Sequence, residues 1–92
     1  MIVGKVVGSI VSTRKSEKLT GNKLMVVEPL QMMGESQTRI VAIDIIGAGL
    51  GEIVLVATGS AARIGCQMQD APIDAAIVGI VDDEIGLNGV KL

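Results

Sequence analysis

The side chains that do acid–base, nucleophilic or metal chemistry are scarce in this chain of 92 residues. It has no histidine and a single cysteine, Cys66. A Cys–His nucleophile pair therefore cannot form within the chain. A zinc site of the usual kind needs several Cys or His ligands, and these are absent from the sequence. Asp82, Asp83 and Glu84 form an acidic trio with the charge to hold a cation. Consecutive strand residues point to opposite faces, however, so the three do not converge. They read as a solvated strand end. Asp70 and Asp74 flank Pro72 and are expected to structure its loop. Cys66 reads as a structural thiol. The chain is expected to be no enzyme and to carry no cofactor and no metal.

Two features need closer weighing. Gly47-Ala48-Gly49-Leu50-Gly51-Glu52 begins G-x-G, like a dinucleotide fingerprint. That fingerprint needs a third glycine and a helix whose N-terminus receives the pyrophosphate. Here the third position is Glu52, whose carboxylate would repel phosphate, and a strand pattern follows. Two readings stay open: a glycine-rich hairpin loop, or a loop kept small because copies crowd around a symmetry axis. The second feature is Asp44, which falls in an apolar row. A carboxylate there is costly unless it is paired or hydrogen-bonded. It either caps a turn at a strand end or meets a partner across a subunit boundary.

The elements that must position these residues are mostly strands. Residues 2–13 alternate as a long strand, with Ile2, Gly4, Val6, Gly8 and Ile10 on one face and Val3, Lys5, Val7, Ser9 and Val11 on the other. Gly4 and Gly8, on one face, would let a barrel strand coil sharply. A charged loop, 14–22, leads to a second strand, 23–31, with Pro29 at its edge or in a bulge. A turn at 32–37 precedes a third strand, 38–46. There Ile40, Ala42, Asp44 and Ile46 share a face, opposite Arg39, Val41, Ile43 and Ile45. The Gly47–Gly51 loop leads to a fourth strand, 52–58. A short helix, 60–67, follows, with Ser60 as its N-cap. A fifth strand covers 75–83, and the tail 84–92, with its Asn88-Gly89 turn signal, has the pattern of a sixth. Five or six strands and one small helix in so short a chain predict an all-β, closed or nearly closed small barrel.

Composition narrows the function. At 9.5 kDa the chain is one domain, too small to bury much surface alone. Disulfides and metals being excluded, oligomerisation is the remaining route to stability. Nearly half the residues (49%) are hydrophobic, yet none is aromatic. The core is therefore aliphatic, rich in the β-branched residues that suit strands. The net charge of −2 and pI near 4.9 argue against nucleic-acid binding, which needs a basic patch. Missing aromatics remove the stacking platforms of single-strand binders. No apolar run reaches the ~18 residues of a membrane helix, and the opening Met1-Ile2-Val3-Gly4-Lys5 is unlike a signal peptide. A cytoplasmic protein without membrane or nucleic-acid partners is expected.

The stretch Asp44 to Arg63, D-I-I-G-A-G-L-G-E-I-V-L-V-A-T-G-S-A-A-R, resembles the signature of the EutN/CcmL family, pentameric vertex proteins of bacterial microcompartment shells. Gly4 to Lys15 (G-K-V-V-G-S-I-V-S-T-R-K), Leu19 to Leu24 (L-T-G-N-K-L) and Pro72 to Asp82 (P-I-D-A-A-I-V-G-I-V-D) are similar to the family in the same order. The loop at 32–37 and the tail after Asp83 are short. The resemblance implies a single domain over residues 1–92 with an OB-like barrel, assembled as a cyclic homopentamer. It implies a structural role: closing a shell of hexameric tiles at its fivefold vertices, inside the cytoplasm. Its partners would be its own copies and the hexameric shell proteins. On that basis the loop Gly47, Ala48, Gly49, Leu50 and Gly51 is expected near the fivefold axis, where Leu50 would narrow any opening. Asp44, Glu52, Ser60 and Arg63 are expected at the subunit interface. Two other classes compete: an OB-type binding module for nucleic acid or oligosaccharide, and a small enzyme completed across an interface.

Overall fold

The computed structural model describes residues 1–11, 23–34, 38–65 and 73–81. They contain β1 (Ile2–Ile10), β2 (Lys23–Pro29), β3 (Ile40–Asp44), β4 (Ile53–Thr58), α1 (Ser60–Gly65) and β5 (Ala75–Val81). A 3-10 turn, Gln31–Met33, follows β2. The strands close into a barrel in the order β1-β2-β3-β5-β4. The expected sixth strand in the tail lies outside the described residues, as do the readings of Cys66, Asp70 and the acidic trio at 82–84.

β1 is the long stave that joins both ends of the sheet. Residues Ile2 to Lys5 pair with β4, and Gly4 to Ile10 pair with β2. Val6 opposes Val27 and Gly8 opposes Val26, which leaves Val7 unmatched. This extra residue is a β-bulge, and it reverses the in–out alternation beyond it. The expectation that Gly4 and Gly8 share a face is therefore overturned. Gly4 lies on the inner face with Val27, whereas Gly8 and Ile10 lie on the outer face opposite Val26 and Leu24. Gly4 is the residue that needs to be glycine: a Cβ there would sit 2.9 Å from the Glu28 carbonyl oxygen.

The barrel interior holds Val6, Met25, Val27, Ala42, Val54, Val56 and Ile77, all buried. Each large aliphatic side chain so buried contributes roughly 1.5–3 kcal/mol relative to exposure. A second cluster, Ile43, Ala62, Ile73 and Ala76, lies outside the wall. The alternation within β3 and β5 puts Ile43 and Ala76 on the outer face. α1 packs on β5 and β4 and joins this cluster through Ala62, so the outer face of the wall is apolar there as well.

One ladder differs from the rest. β3 and β5 run parallel and pair at only two positions, Ile43 with Ala76 and Asp44 with Ile77. The other four ladders are antiparallel and have four to six pairs each. The barrel is thus shut by a short parallel seam at the C-terminal end of β3.

Candidate functional site

The glycine-rich loop after β3 is a fixed turn. Gly47 and Gly51 have φ of 85° and 86°, a region that side chains with a Cβ rarely adopt. The Gly51 N–H donates to the Val6 carbonyl at 2.8 Å, and the Val6 N–H donates to the Glu52 carbonyl at 2.9 Å. These bonds pin the loop to β1. Within it, the Glu52 N–H donates to the Gly49 carbonyl and the Gly49 N–H donates to Glu52 Oε1. Glu52 is folded back on its own loop. Ala48 drops into the barrel core, a role its sequence context did not signal. Leu50 stands out at the tip, 68% exposed.

Asp44 is 4% exposed, the only buried charged residue among those described. Its Oδ1 accepts hydrogen bonds from the backbone N–H groups of Ile46 (3.0 Å) and Gly47 (3.1 Å). Of the two readings of Asp44, the turn cap is the one seen in the protomer. Oδ2 is buried with no hydrogen-bond partner. The cap ends β3 at Asp44, two residues short of the expected strand, and leaves Ile45 and Ile46 exposed (43% and 42%).

α1 starts one residue earlier than its expected cap implies. Ser60 is its first helical residue, and the left-handed Gly59 (φ 65°) precedes it, with the Ala62 N–H bonded to the Gly59 carbonyl. Ser60 is therefore exposed within the first turn rather than capping it from outside. Arg63 Nη1 donates to the Ile73 carbonyl at 3.1 Å, tying the helix to the segment that enters β5. The expected site residues fall in two groups. Asp44 and the glycine loop adjoin each other, Glu52 belongs to that loop, and Ser60 and Arg63 sit on the helix.

A groove at the seam was not foreseen. It is lined by Ile40, Val41, Thr58, Gly59, Asp74 and Ala75, and it opens where β3 and β5 have diverged. Pattern reading finds strands but does not reveal that a ladder stops after two pairs. Among the described residues no set of three acidic or cysteine side chains gathers to hold a metal ion.

Comparison with known proteins places this architecture. Residues 1–82 match the family described as ethanolamine utilisation protein EutN/carboxysome. The chain is 49% identical over 84 residues to the microcompartment shell vertex protein GrpN of Rhodospirillum rubrum, covering 89% of this chain and 93% of that protein. It is 51% identical over 83 residues to the carboxysome shell vertex protein CcmL of Synechocystis, covering 89% and 83%. Among solved structures, the pentameric GrpN shell protein of Rhodospirillum rubrum superposes with a TM-score of 0.75 at 48% identity, over 89% of this chain and 93% of that one. An ethanolamine utilization protein EutN superposes with a TM-score of 0.81 at 41% identity, over 89% and 86%.

Proposed function

This chain belongs to the EutN/CcmL family, and from that premise we propose that it is a shell vertex protein, five copies of which form a ring. The ring fills a fivefold corner of a bacterial microcompartment shell whose facets are hexameric tiles. A sheet of hexagons cannot close without such corners. The role is mechanical and needs no catalytic residue. The observation that carries the reading is the near-full-length likeness to proteins named as shell vertex proteins, one of them solved and described as pentameric.

The physics of the protomer supports it. The barrel is closed, so it offers side-chain surfaces rather than long open sheet edges for building a ring. A cyclic ring joins one patch to a different patch on the next copy, and rotation closes it. Exposed Val41, Ile45, Ile46 and Leu50 supply apolar area for such contacts. In this reading the Gly47–Gly51 loop turns toward the fivefold axis, where small residues permit close approach. Ser60 lies beside the interface. Asp44, Glu52 and Arg63 serve it from within, since their bonds hold the loop and helix in place.

The test is the solution mass by light scattering with refractive-index detection, because the chain has no Trp or Tyr to absorb near 280 nm. The expected mass is about five times the 9.5 kDa protomer. A stable species at the protomer mass overturns the ring.

A further inference from the structure

We infer that the seam groove is the socket into which the next copy of this chain inserts the exposed Ile45–Ile46 corner, with Lys23 of the inserted copy facing Asp74 of the socket. The inference rests on the ring reading and specifies its interface.

Three observations lead to it. First, the two ends of β3 carry different surfaces. At its N-terminal end the seam has opened into the groove lined by Ile40, Val41, Thr58, Gly59, Asp74 and Ala75. At its C-terminal end the Asp44 cap holds Ile45 and Ile46 outward on a fixed turn. One surface is concave and the other convex, and five strand residues, roughly 13 Å, separate them. A concave patch and a convex patch at separate places on one molecule are what a head-to-tail contact requires.

Second, the charges complement each other. Lys23 is exposed and pairs in register with Asp44, so it stands beside the Ile45–Ile46 corner. Asp74 is exposed at the groove. Among the described residues neither side chain has an ion-pair partner; the one ion pair there is Arg39 with Glu28. Across a head-to-tail contact a cation from the convex end meets a carboxylate at the concave end, while copies joined like end to like end bring equal charges together. Such complementarity sets register and rejects wrong partners.

Third, the surfaces match in polarity. The groove presents Ile40, Val41 and Ala75 with a few polar groups at its edge, and two isoleucines suit it. An apolar centre with a charged rim is the usual anatomy of a specific protein contact.

The experiment is charge exchange read by light scattering at several protein concentrations, with far-UV circular dichroism to confirm folding. Both reversals are at exposed positions and leave the core intact. Lys23→Asp alone and Asp74→Lys alone are each expected to shift the mass from ring to protomer, with every contact weakened about tenfold or more. The double variant K23D/D74K restores the opposed pair and is expected to return the ring mass. Rings in both single variants overturn the socket assignment while leaving the ring standing. Failure of the double variant to recover overturns the Lys23–Asp74 pairing. A wild-type chain at protomer mass overturns the ring reading itself, and this inference with it.

Discussion

Replacing Asp44 by alanine removes the cap at the end of β3, and the loss can be sized from its surroundings. Two backbone N–H groups, those of Ile46 and Gly47, lose a carboxylate acceptor at 3.0 and 3.1 Å. Hydrogen bonds to a charged group contribute about 1.5–3 kcal/mol each. Against that, alanine also removes Oδ2, a buried oxygen without a partner, whose desolvation costs about 1–3 kcal/mol. The two N–H groups are only partly buried, so water replaces some of what they lose. The net expectation is a destabilisation of about 2–3 kcal/mol. Asparagine keeps one carbonyl oxygen for both N–H groups and puts an amide nitrogen in place of Oδ2. It is expected to cost about 1–2 kcal/mol, less than alanine. The assay is urea unfolding followed by far-UV circular dichroism. Since assembly couples to stability, variants and wild type are compared at matched concentration. For a slope near 1 kcal/mol per molar urea, Asp44→Ala lowers the midpoint by about 2–3 M. An alanine variant within about 0.5 kcal/mol of wild type refutes the cap as a stabilising element. An asparagine variant worse than alanine refutes the account of Oδ2, because it means that position is served by a donor after all.

Two glycines give contrasting tests of backbone and space. Gly4→Ala puts a Cβ 2.9 Å from the Glu28 carbonyl oxygen, a backbone atom that cannot swing away. A loss of about 1–3 kcal/mol is expected in the same unfolding assay, the range for overpacking a filled site. Gly51→Ala meets open space but must hold φ near 86°. It is expected to cost about 1–2 kcal/mol from the backbone alone, and Gly51→Asn less, since asparagine tolerates the left-handed region. Equal losses for alanine and asparagine at position 51 count against that cause.

The strands were readable because the chain alternates Ile and Val with small or polar residues, and each expected strand from the first to the fifth contains one that formed. What alternation cannot show is where it breaks. The bulge at Val7 puts Gly4 and Gly8 on opposite faces, yet Gly-Lys-Val-Val-Gly has no residue that marks it. Both faces of β3 are largely apolar in the sequence, which does not reveal that Ile43 and Ala76 share a cluster with Ala62 of α1. Asp44 was recognised as anomalous because a carboxylate in an apolar row needs a partner; its partners proved to be two amides a few residues ahead. Arg63 was expected at the subunit interface; among its contacts within the protomer is the Ile73 carbonyl, which a sequence cannot place beside it. The groove depends on a ladder that ends after two pairs, a three-dimensional property that no local pattern encodes.

The same short seam bears on how so small a domain becomes a building block. A closed barrel exposes little strand edge, which protects it from uncontrolled strand addition. It also leaves a 9.5 kDa chain with a small core and several isoleucines and valines on its surface. Assembly through side chains in a defined socket resolves both problems at once. It covers apolar area that the protomer cannot bury, and it does so with a directionality that sheet edges lack, because the concave and convex ends of β3 differ. A contact with one direction and a fixed rotation per step closes after a set number of copies. In the proposed ring the angle of that rotation depends on parts fixed within the protomer: the Asp44 cap, the Glu52 turn and the Arg63 tie. Softening any of them should blur the ring before it unfolds the barrel.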